Sequence, residues 1–524
     1  MRLLFKHLFY ILFFFSCSVK SSYIINDDSA TIINDFNDSI DFLNVTSIII
    51  KKKTLHALSK ADIILNEILS IDDTLRTFEN TMVKVDDLYN EVSKVWNIIG
   101  LLSSVHPSEK IRNECDENDT VIENYMLDLS LNESLYGAFL EYEETDEAKR
   151  LPIHRKRFLD GEISDFEKSG LDLTIEDREK LKKLYIKHSE LSRKFYNNIL
   201  SFSDTIFFDE KLALGLPGKF KDKHKSSNGS YAIDLSYPSY DAFMKYSASD
   251  SLRKLMRYKY LNIGSPENLI LLDEILLLSK NIAEKLGYSS YAEYSIDGSM
   301  AKTPLQVWEF ENDLRRKIMP IAQVELNNLL MMKREYLGTD DIEINDWDKN
   351  FYENLLLREK YHIDSEKVEE YFKLENVIKG FKEICSMLFD ITFKEVNNPS
   401  VWHADVTMHE MFDRESGELL GKFYLDLYPR ANKYPGAAEY TILSGKQVGN
   451  TYQIPVACLV CNFPPSTDDL PSLLPHDEVE TFFHEFGHLI HDLLSKTELM
   501  SQSGTSVDMD FVESPSQMFE NWVW

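Results

Sequence analysis

The sequence predicts a mainly α-helical protein with one small β-sheet in its C-terminal third. Three observations predict it. Apolar residues recur at helical spacing through most of the chain, period-two alternation is confined to a segment near Phe423, and no solenoid-type repeat is evident. With 524 residues, 43% of them hydrophobic, the chain can bury a large core and is not a disordered polymer.

The elements follow in chain order. The first residues, MRLLFKHLFYILFFFSCSVKSS, place Arg2 and Lys6 before an apolar run from Leu8 to Phe15, followed by the small Ser16, Cys17 and Ser18. That order predicts a secretory signal peptide over residues 1–18. The run is too short for a membrane span and no other window approaches one, so no stable membrane association is expected once it is removed. Residues 19–46, rich in Asn, Asp and Ser, read as a poorly ordered lead-in. Asn37, Asn44, Asn118, Asn132 and Asn228 stand in sequons that permit glycosylation.

A helical region over residues 47–245 comes next. Val85, Leu88, Tyr89, Val92, Val95, Trp96 and Ile99 share one helical face. Leu181, Leu184, Leu191, Phe195 and Ile199 share another, with Thr174 as N-cap and Asp177 three residues on. The remaining region, 246–524, is predicted to open with long helices over 251–286 and 305–336. In GKFYLDLYPR, Phe423, Leu425 and Leu427 alternate with Tyr424, Asp426 and Tyr428, a strand preceded by a turn at Gly417. This strand is a candidate to hold an extended peptide by strand addition. Arg430 and Lys433 after it are candidates to touch substrate, with exposed loop charges as the default reading. Ile454 to Phe463 is a second strand or a buried segment, ended by Pro464 and Pro465.

Composition excludes whole classes. The formal net charge of −30, from 57 basic and 87 acidic residues, argues against nucleic-acid and anionic-membrane partners. Five cysteines are too few for a disulfide-built scaffold. Cys458 and Cys461 form a CxxC, but three residues along a strand puts them on opposite faces, so they read as buried thiols. No phosphate-binding loop or nucleophile elbow is present; Gly445-Lys446 runs on into Gln447.

The chemistry lies in DEVETFFHEFGHLIHDLLS. His484 and His488 are four residues apart on a helix and share a face, the spacing at which two imidazoles meet one zinc ion. Glu485 sits beside that position and can take the proton of a water attacking a carbonyl carbon. Catalytic zinc takes a third protein ligand. His491 lies on the same helix, roughly 10 Å along from His484, and three ligands from one straight helix would strain a tetrahedron. In DFVESPSQMFENW the candidates are Asp510, Glu513 and Glu520, and spacing alone does not choose among them. His403, His409 and His476 have no ligand spacing and read as structural.

With these residues in view, the chain resembles the M3 family of zinc metallopeptidases, in the thimet oligopeptidase, neurolysin and saccharolysin branch. The resemblance runs from about residue 100 to the last residue, through FEKSGLDL (166–173), SMAKTP (299–304), GKFYLDLYPR (421–430), PSLLPHDEVETFFHEFGH (471–488) and DFVESPSQMFENWVW (510–524). It implies that one zinc ion is held by His484, His488 and Glu513, with Glu485 as the general base. It also implies a mainly α, two-part helical body split by a deep channel, with the small sheet near the zinc. The implied activity is endopeptidase cleavage of short unfolded peptides by a monomer.

The sequence departs from the family pattern in four places. It stops at Trp524, where the family's catalytic region continues through a Tyr- and His-bearing segment; the expectation is a fragment or a truncated, catalytically impaired zinc- and peptide-binding protein as the alternative to an active enzyme. Pro435 and Gly436 in KYPGAA, and Ser506 in SGTS, replace the family's usual residues. The N-terminus reads as secretory or extracellular, whereas the family is cytoplasmic or mitochondrial.

Overall fold

The computed structural model describes residues 41–171, 173–340, 342–466 and 470–524. The signal-peptide stretch and most of the lead-in fall outside the described residues. The end of the lead-in differs from expectation. Phe42 is 2% exposed, with its ring centroid 4.9 Å from that of Trp402 and 5.6 Å from that of Tyr424. An aromatic ring with a waiting pocket orders its stretch of chain despite the polar composition.

Six helices open the described chain: α1 Ser47–Leu69, α2 Val83–Val105, α3 Glu109–Ser130, α4 Glu133–Glu143, α5 Ile153–Lys168 and α6 Ile175–Leu200. The predicted stripe of α2 is its buried face, with Val85, Leu88, Val92, Val95 and Ile99 in the core. Thr174 caps α6 by accepting the Asp177 N–H at 3.2 Å. In α3, Asn118 is buried and donates to Glu114, which removes it as a glycan acceptor.

A hairpin of β1 Thr205–Phe208 and β2 Tyr231–Asp234 flanks α7 Gly218–His224, and α8 Tyr237–Tyr246 follows. The single helix expected over 251–286 is two, α9 Asp250–Leu261 and α10 Glu267–Lys285. The break falls at Gly264, with φ of 76°, and Pro266, which has no N–H to continue the ladder. After α11 Tyr291–Ile296 comes the long α12 Pro304–Leu337, started by Thr303 and Pro304 and stopped at left-handed Gly338. It is apolar without being buried: Trp308, Phe310 and Ile321 are all more than 60% exposed. Then come α13 Lys349–Tyr361, α14 Ser365–Glu369 and α15 Leu374–Phe389.

The sheet follows as expected, in the C-terminal third. Its strands are β3 Ile391–Glu395, β4 Thr407–Asp413, β5 Leu419–Asp426, β6 Ala438–Leu443 and β9 Val456–Val460, in the order β3-β4-β5-β9-β6. Only the β5–β9 pair is parallel. The short β7 Lys446–Val448 and β8 Thr451–Gln453 form a separate hairpin. Two helices close the described chain, α16 His476–Leu494 and α17 Met509–Glu520. No helix among the described residues is long and apolar enough to cross a membrane.

Both faces of the sheet are buried, each against a different helical body. Tyr424, Cys458 and Val460 pack with α1 to α5, while Phe423, Leu425, Ala457, Leu459 and Cys461 pack with α15 and α16. Cys458 and Cys461 are therefore buried free thiols in different cores. Two expectations are corrected here. Strand β5 has β4 on one edge and β9 on the other, so it cannot receive an added peptide strand. Arg430 and Lys433 are not exposed loop charges. Arg430 donates to both Asp426 carboxylate oxygens at 2.7 and 2.6 Å and to the Val105 carbonyl, and Lys433 lies 2.9 Å from Asp426 Oδ1. The apolar alternation at 423–428 concealed this, because the polar face of the strand is an interior one.

Charge is also buried between α2 and α5. The Tyr89 hydroxyl donates to Glu162 at 2.7 Å. Burial pushes the Glu162 carboxyl up to about 8, the Tyr89 bond opposes this, and the charges of Asp165 and Asp86 add to it. The folded chain thus holds a proton that the unfolded chain releases above a pKa of about 4.3. Stability linked to this group falls as pH rises from about 4 towards about 8. Glu162→Gln keeps an acceptor for Tyr89 and cannot ionise. Its melting temperature should match the wild type near pH 4 and exceed it by a few degrees near pH 8. Calorimetry across that range checks this, and a difference that does not grow with pH contradicts it.

Candidate metal centre

The site is built on α16. Its apolar face, with Phe482, Phe486, Leu489 and Leu493, lies against the sheet and α15. The Phe486 ring is 4.3 Å from that of Phe381 and 5.4 Å from that of Phe423. Clamping one side of the helix fixes the direction of the other, where the His484 and His488 ring centroids are 5.0 Å apart.

Helix α17 supplies the third group by crossing α16 at unusually short range. A Cβ on Gly487 would lie 2.8 Å from the Ser516 Cα and 3.1 Å from the Phe519 ring, so only glycine permits the approach. The approach brings Glu513 Oε2 to 3.1 Å from His484 Nε2 and 3.0 Å from His488 Nε2. The three donor atoms lie within 4.8 Å of one another, the only such trio of metal-ligating residue types among the described residues. Ser516 Oγ donates to the same Glu513 oxygen at 3.0 Å.

The other candidates are placed elsewhere. Asp510 accepts the Met300 N–H at 2.7 Å, and the His491 ring faces Phe511 at 6.3 Å. Glu520 points inward but meets the far nitrogen of His484, with Oε1 at 2.6 Å from Nδ1. A carboxylate there holds the Nδ1–H tautomer and leaves Nε2 as the lone-pair donor, the usual support for a metal-binding histidine. Burial disfavours the charged form of His484, but its bonds to Glu513 and Glu520 and the nearby Glu485 raise its pKa overall. The supporting roles of Glu520 and Gly487 were missed in the sequence. The available signal was Glu520 seven residues after Glu513, two helical turns on along the same face.

Glu485 is 6% exposed, and its Oε2 has no hydrogen-bond partner among the described residues. A buried carboxylate oxygen with no partner next to two imidazoles suits a nearby cation. Two nitrogens and a carboxylate oxygen, converging with an orienting carboxylate behind one ring, are a donor set that fits zinc. Elsewhere, His476 Nε2 lies 3.2 Å from the Val523 carbonyl, and His409 is buried in β4. Pro435 and Gly436 lie in a loop that Asn462 pins through the Tyr434 and Gly436 carbonyls, and Ser506 sits in a turn with its N–H bonded to the Ser503 carbonyl.

A helical body enclosing a small sheet, with a His-Glu-x-x-His helix and a glutamate from the next helix, defines a metallopeptidase. Comparison with known proteins specifies which. The model of peptidase family M3 matches residues 243–524, and that of the neurolysin/thimet oligopeptidase N-terminal domain matches residues 58–178. A thimet-like oligopeptidase of Dictyostelium discoideum is 34% identical over 493 residues, covering 90% of this chain and 73% of its own length. Oligopeptidase A of Escherichia coli (strain K12) is 32% identical over 467 residues, covering 86% of this chain and 68% of its own. Saccharolysin of Saccharomyces cerevisiae is 35% identical over 457 residues, covering 83% and 64%. The chain belongs to peptidase family M3.

The α16–α17 crossing makes a sharp prediction. Gly487→Ala should cost about 1–3 kcal/mol of stability by overpacking; if the three residues are ligands, it should also weaken the affinity for added zinc at least about tenfold, because Glu513 is pushed off the histidines. Chelator competition and a melting curve measure the two effects. Unchanged zinc affinity would show that the short crossing does not set the site.

Proposed function

We propose that this metallopeptidase is a zinc-dependent endopeptidase of short unfolded peptides. His484, His488 and Glu513 would hold one zinc ion, and Glu485 would act as the general base. The observation that carries this reading is the convergence of the three donor atoms beside a buried carboxylate. The oligopeptidase relatives support the substrate class. Bound there, zinc supplies Lewis-acid polarisation of a carbonyl and acidification of water.

The rest is work for the chain's own groups. Glu485 Oε2 takes the proton of the attacking water as it adds to the scissile carbonyl carbon, then passes it to the leaving amine. Glu520 keeps His484 oriented, and Ser516 keeps Glu513 oriented. Burial of Glu485 limits competing bulk water and strengthens its electrostatic action. An extended peptide would be received at β6 rather than β5, since β6 ends the sheet and, among the described residues, no strand pairs with its outer edge. The channel of the family body and a monomeric state belong to the same reading. The signal-like N-terminus supports entry into the secretory pathway; a tagged full chain retained in the cytosol or mitochondria with its N-terminus intact would refute that route.

Glu485→Gln should lower turnover of a quenched fluorescent peptide by about 10³-fold or more, with zinc still bound near one per chain. Glu513→Ala should lose the metal itself. Persistent turnover in Glu485→Gln would overturn the assignment of the base. A wild-type chain that binds zinc but cleaves nothing would instead identify a non-catalytic peptide-binding protein.

A further inference from the structure

Lys382, on α15, is a half-buried cation held over two aromatic rings with no carboxylate at ion-pair distance among the described residues. Its Nζ lies 3.0 Å from His409 Nδ1 and 5.8 Å from the centroids of both Phe393 and Phe423. Among the described residues it has no ion-pair partner; Glu395 on β3 is the acid whose charge reaches it. The side chain lines an open cavity of about 470 Å³ between α15 and β3, with Ile378, Lys379, Ser386, Thr392 and Phe393. Glu375 and Glu383 stand at the rim, and Glu383 is 3.7 Å from Lys379.

The hydrogen bonds set the direction of the amine. His409 is buried, stacked on Phe423 at 5.0 Å, with Nε2 3.1 Å from Thr407 Oγ1. Burial and the charge of Lys382 push the imidazole down to about 3, so it is neutral. A charged Lys382 can only donate, so Nδ1 of the neutral ring accepts and the ring proton sits on Nε2, where Thr407 Oγ1 accepts it. A neutral amine that keeps this bond to His409 leaves its lone pair free for the cavity. Burial lowers the amine to about 8, against the pull of Glu395.

We propose that Lys382 is an acylation site, its amine attacking a small acyl thioester that enters the cavity between α15 and β3. The Nζ lone pair forms the C–N bond to the thioester carbonyl, the C–S bond breaks, the thiolate leaves with its electron pair, and the surplus amine proton goes to solvent. Acylation gives up the contacts of the cation with Phe393 and Phe423 but removes a charge that burial disfavours, and the remaining amide N–H still reaches His409. An anionic adduct such as a carbamate is disfavoured, because Glu375, Glu383 and Glu395 surround the position. None of this involves the metal centre or depends on peptidase activity.

The test is competitive labelling of the full chain with the neutral thioester S-acetyl-N-acetylcysteamine at about pH 7.5, followed by peptide mass spectrometry. Lys382 should acquire acetyl groups about tenfold faster than the exposed Lys51 and Lys52, since its amine faces the cavity and is lowered by burial to about 8. The advantage should vanish in concentrated guanidinium chloride. Labelling no faster than that of Lys51 and Lys52 would overturn the proposal. So would an advantage that survives denaturation, because the local sequence rather than the folded cavity would then be its cause.

Discussion

The metal centre depends on the distance of closest approach between α16 and α17. Glutamate is a short arm, and its carboxylate reaches both imidazoles only because the backbones nearly touch at Gly487 and Ser516. Glycine in a helix interior costs about 1 kcal/mol relative to alanine. Here that cost accompanies a helix crossing that no side chain would allow. The same crossing carries Glu520 to the back of His484 two turns later. One contact therefore brings in a candidate ligand and an orienting group together, and the Ser516 hydroxyl then holds the Glu513 carboxylate.

A crossing this close holds only if α16 itself cannot shift, and the sheet prevents that. Phe381, Phe423 and Phe486 form an aromatic wedge between α15, β5 and α16. The opposite face of β5 belongs to the other core, where Asp426 is held by Arg430, Lys433 and the Trp402 Nε1–H at 2.8 Å. Burial alone would push the Asp426 carboxyl up, but these partners keep it below the usual range. Removing one partner of such a cluster strands a charge in the interior, which is far costlier than never having built it. A second buried pair, Lys446 with Asp86 on α2, also involves the Met500 and Ser501 N–H groups, each 2.8 Å from the Asp86 carboxylate. The N-terminal helices are thus one wall of the sheet that aims the helix bearing His484 and His488.

How much of this was legible in the sequence depended on whether the signal was local. Helices α2 and α6 were readable because their apolar spacing and the Thr174 cap are short-range features. The His-Glu-x-x-His spacing was readable for the same reason. Glu513 was chosen over Asp510 and Glu520 only through family resemblance, since the choice rests on how two helices cross. The break at Gly264 and Pro266 was written in the sequence, yet was overridden by a continuous apolar pattern on both sides. Arg430, Lys433 and Phe42 were misread because their partners lie hundreds of residues away or on a strand face whose burial no alternation rule reveals.

The large negative charge also acquires a location. Helices α16 and α17 contain eight acidic residues and no lysine or arginine. Three of the acids face the site: Glu485, Glu513 and Glu520. Farther along α16, burial holds Glu478 well above its ordinary pKa, with Asp477, Asp241 and Glu369 adding to the effect, and lifts Asp492 to about 7. A carboxylate stripped of water has two remedies: take up a proton, or admit a cation. At the ends of α16 the remedy is protonation. In its middle, two imidazole nitrogens beside the Glu513 carboxylate can hold a proton, as the raised pKa of His484 shows, or give a divalent ion a coordination shell, and no basic side chain of either helix competes for the place. The same electrostatic pressure is answered differently along one helix, and ligand geometry rather than charge decides where the metal would go.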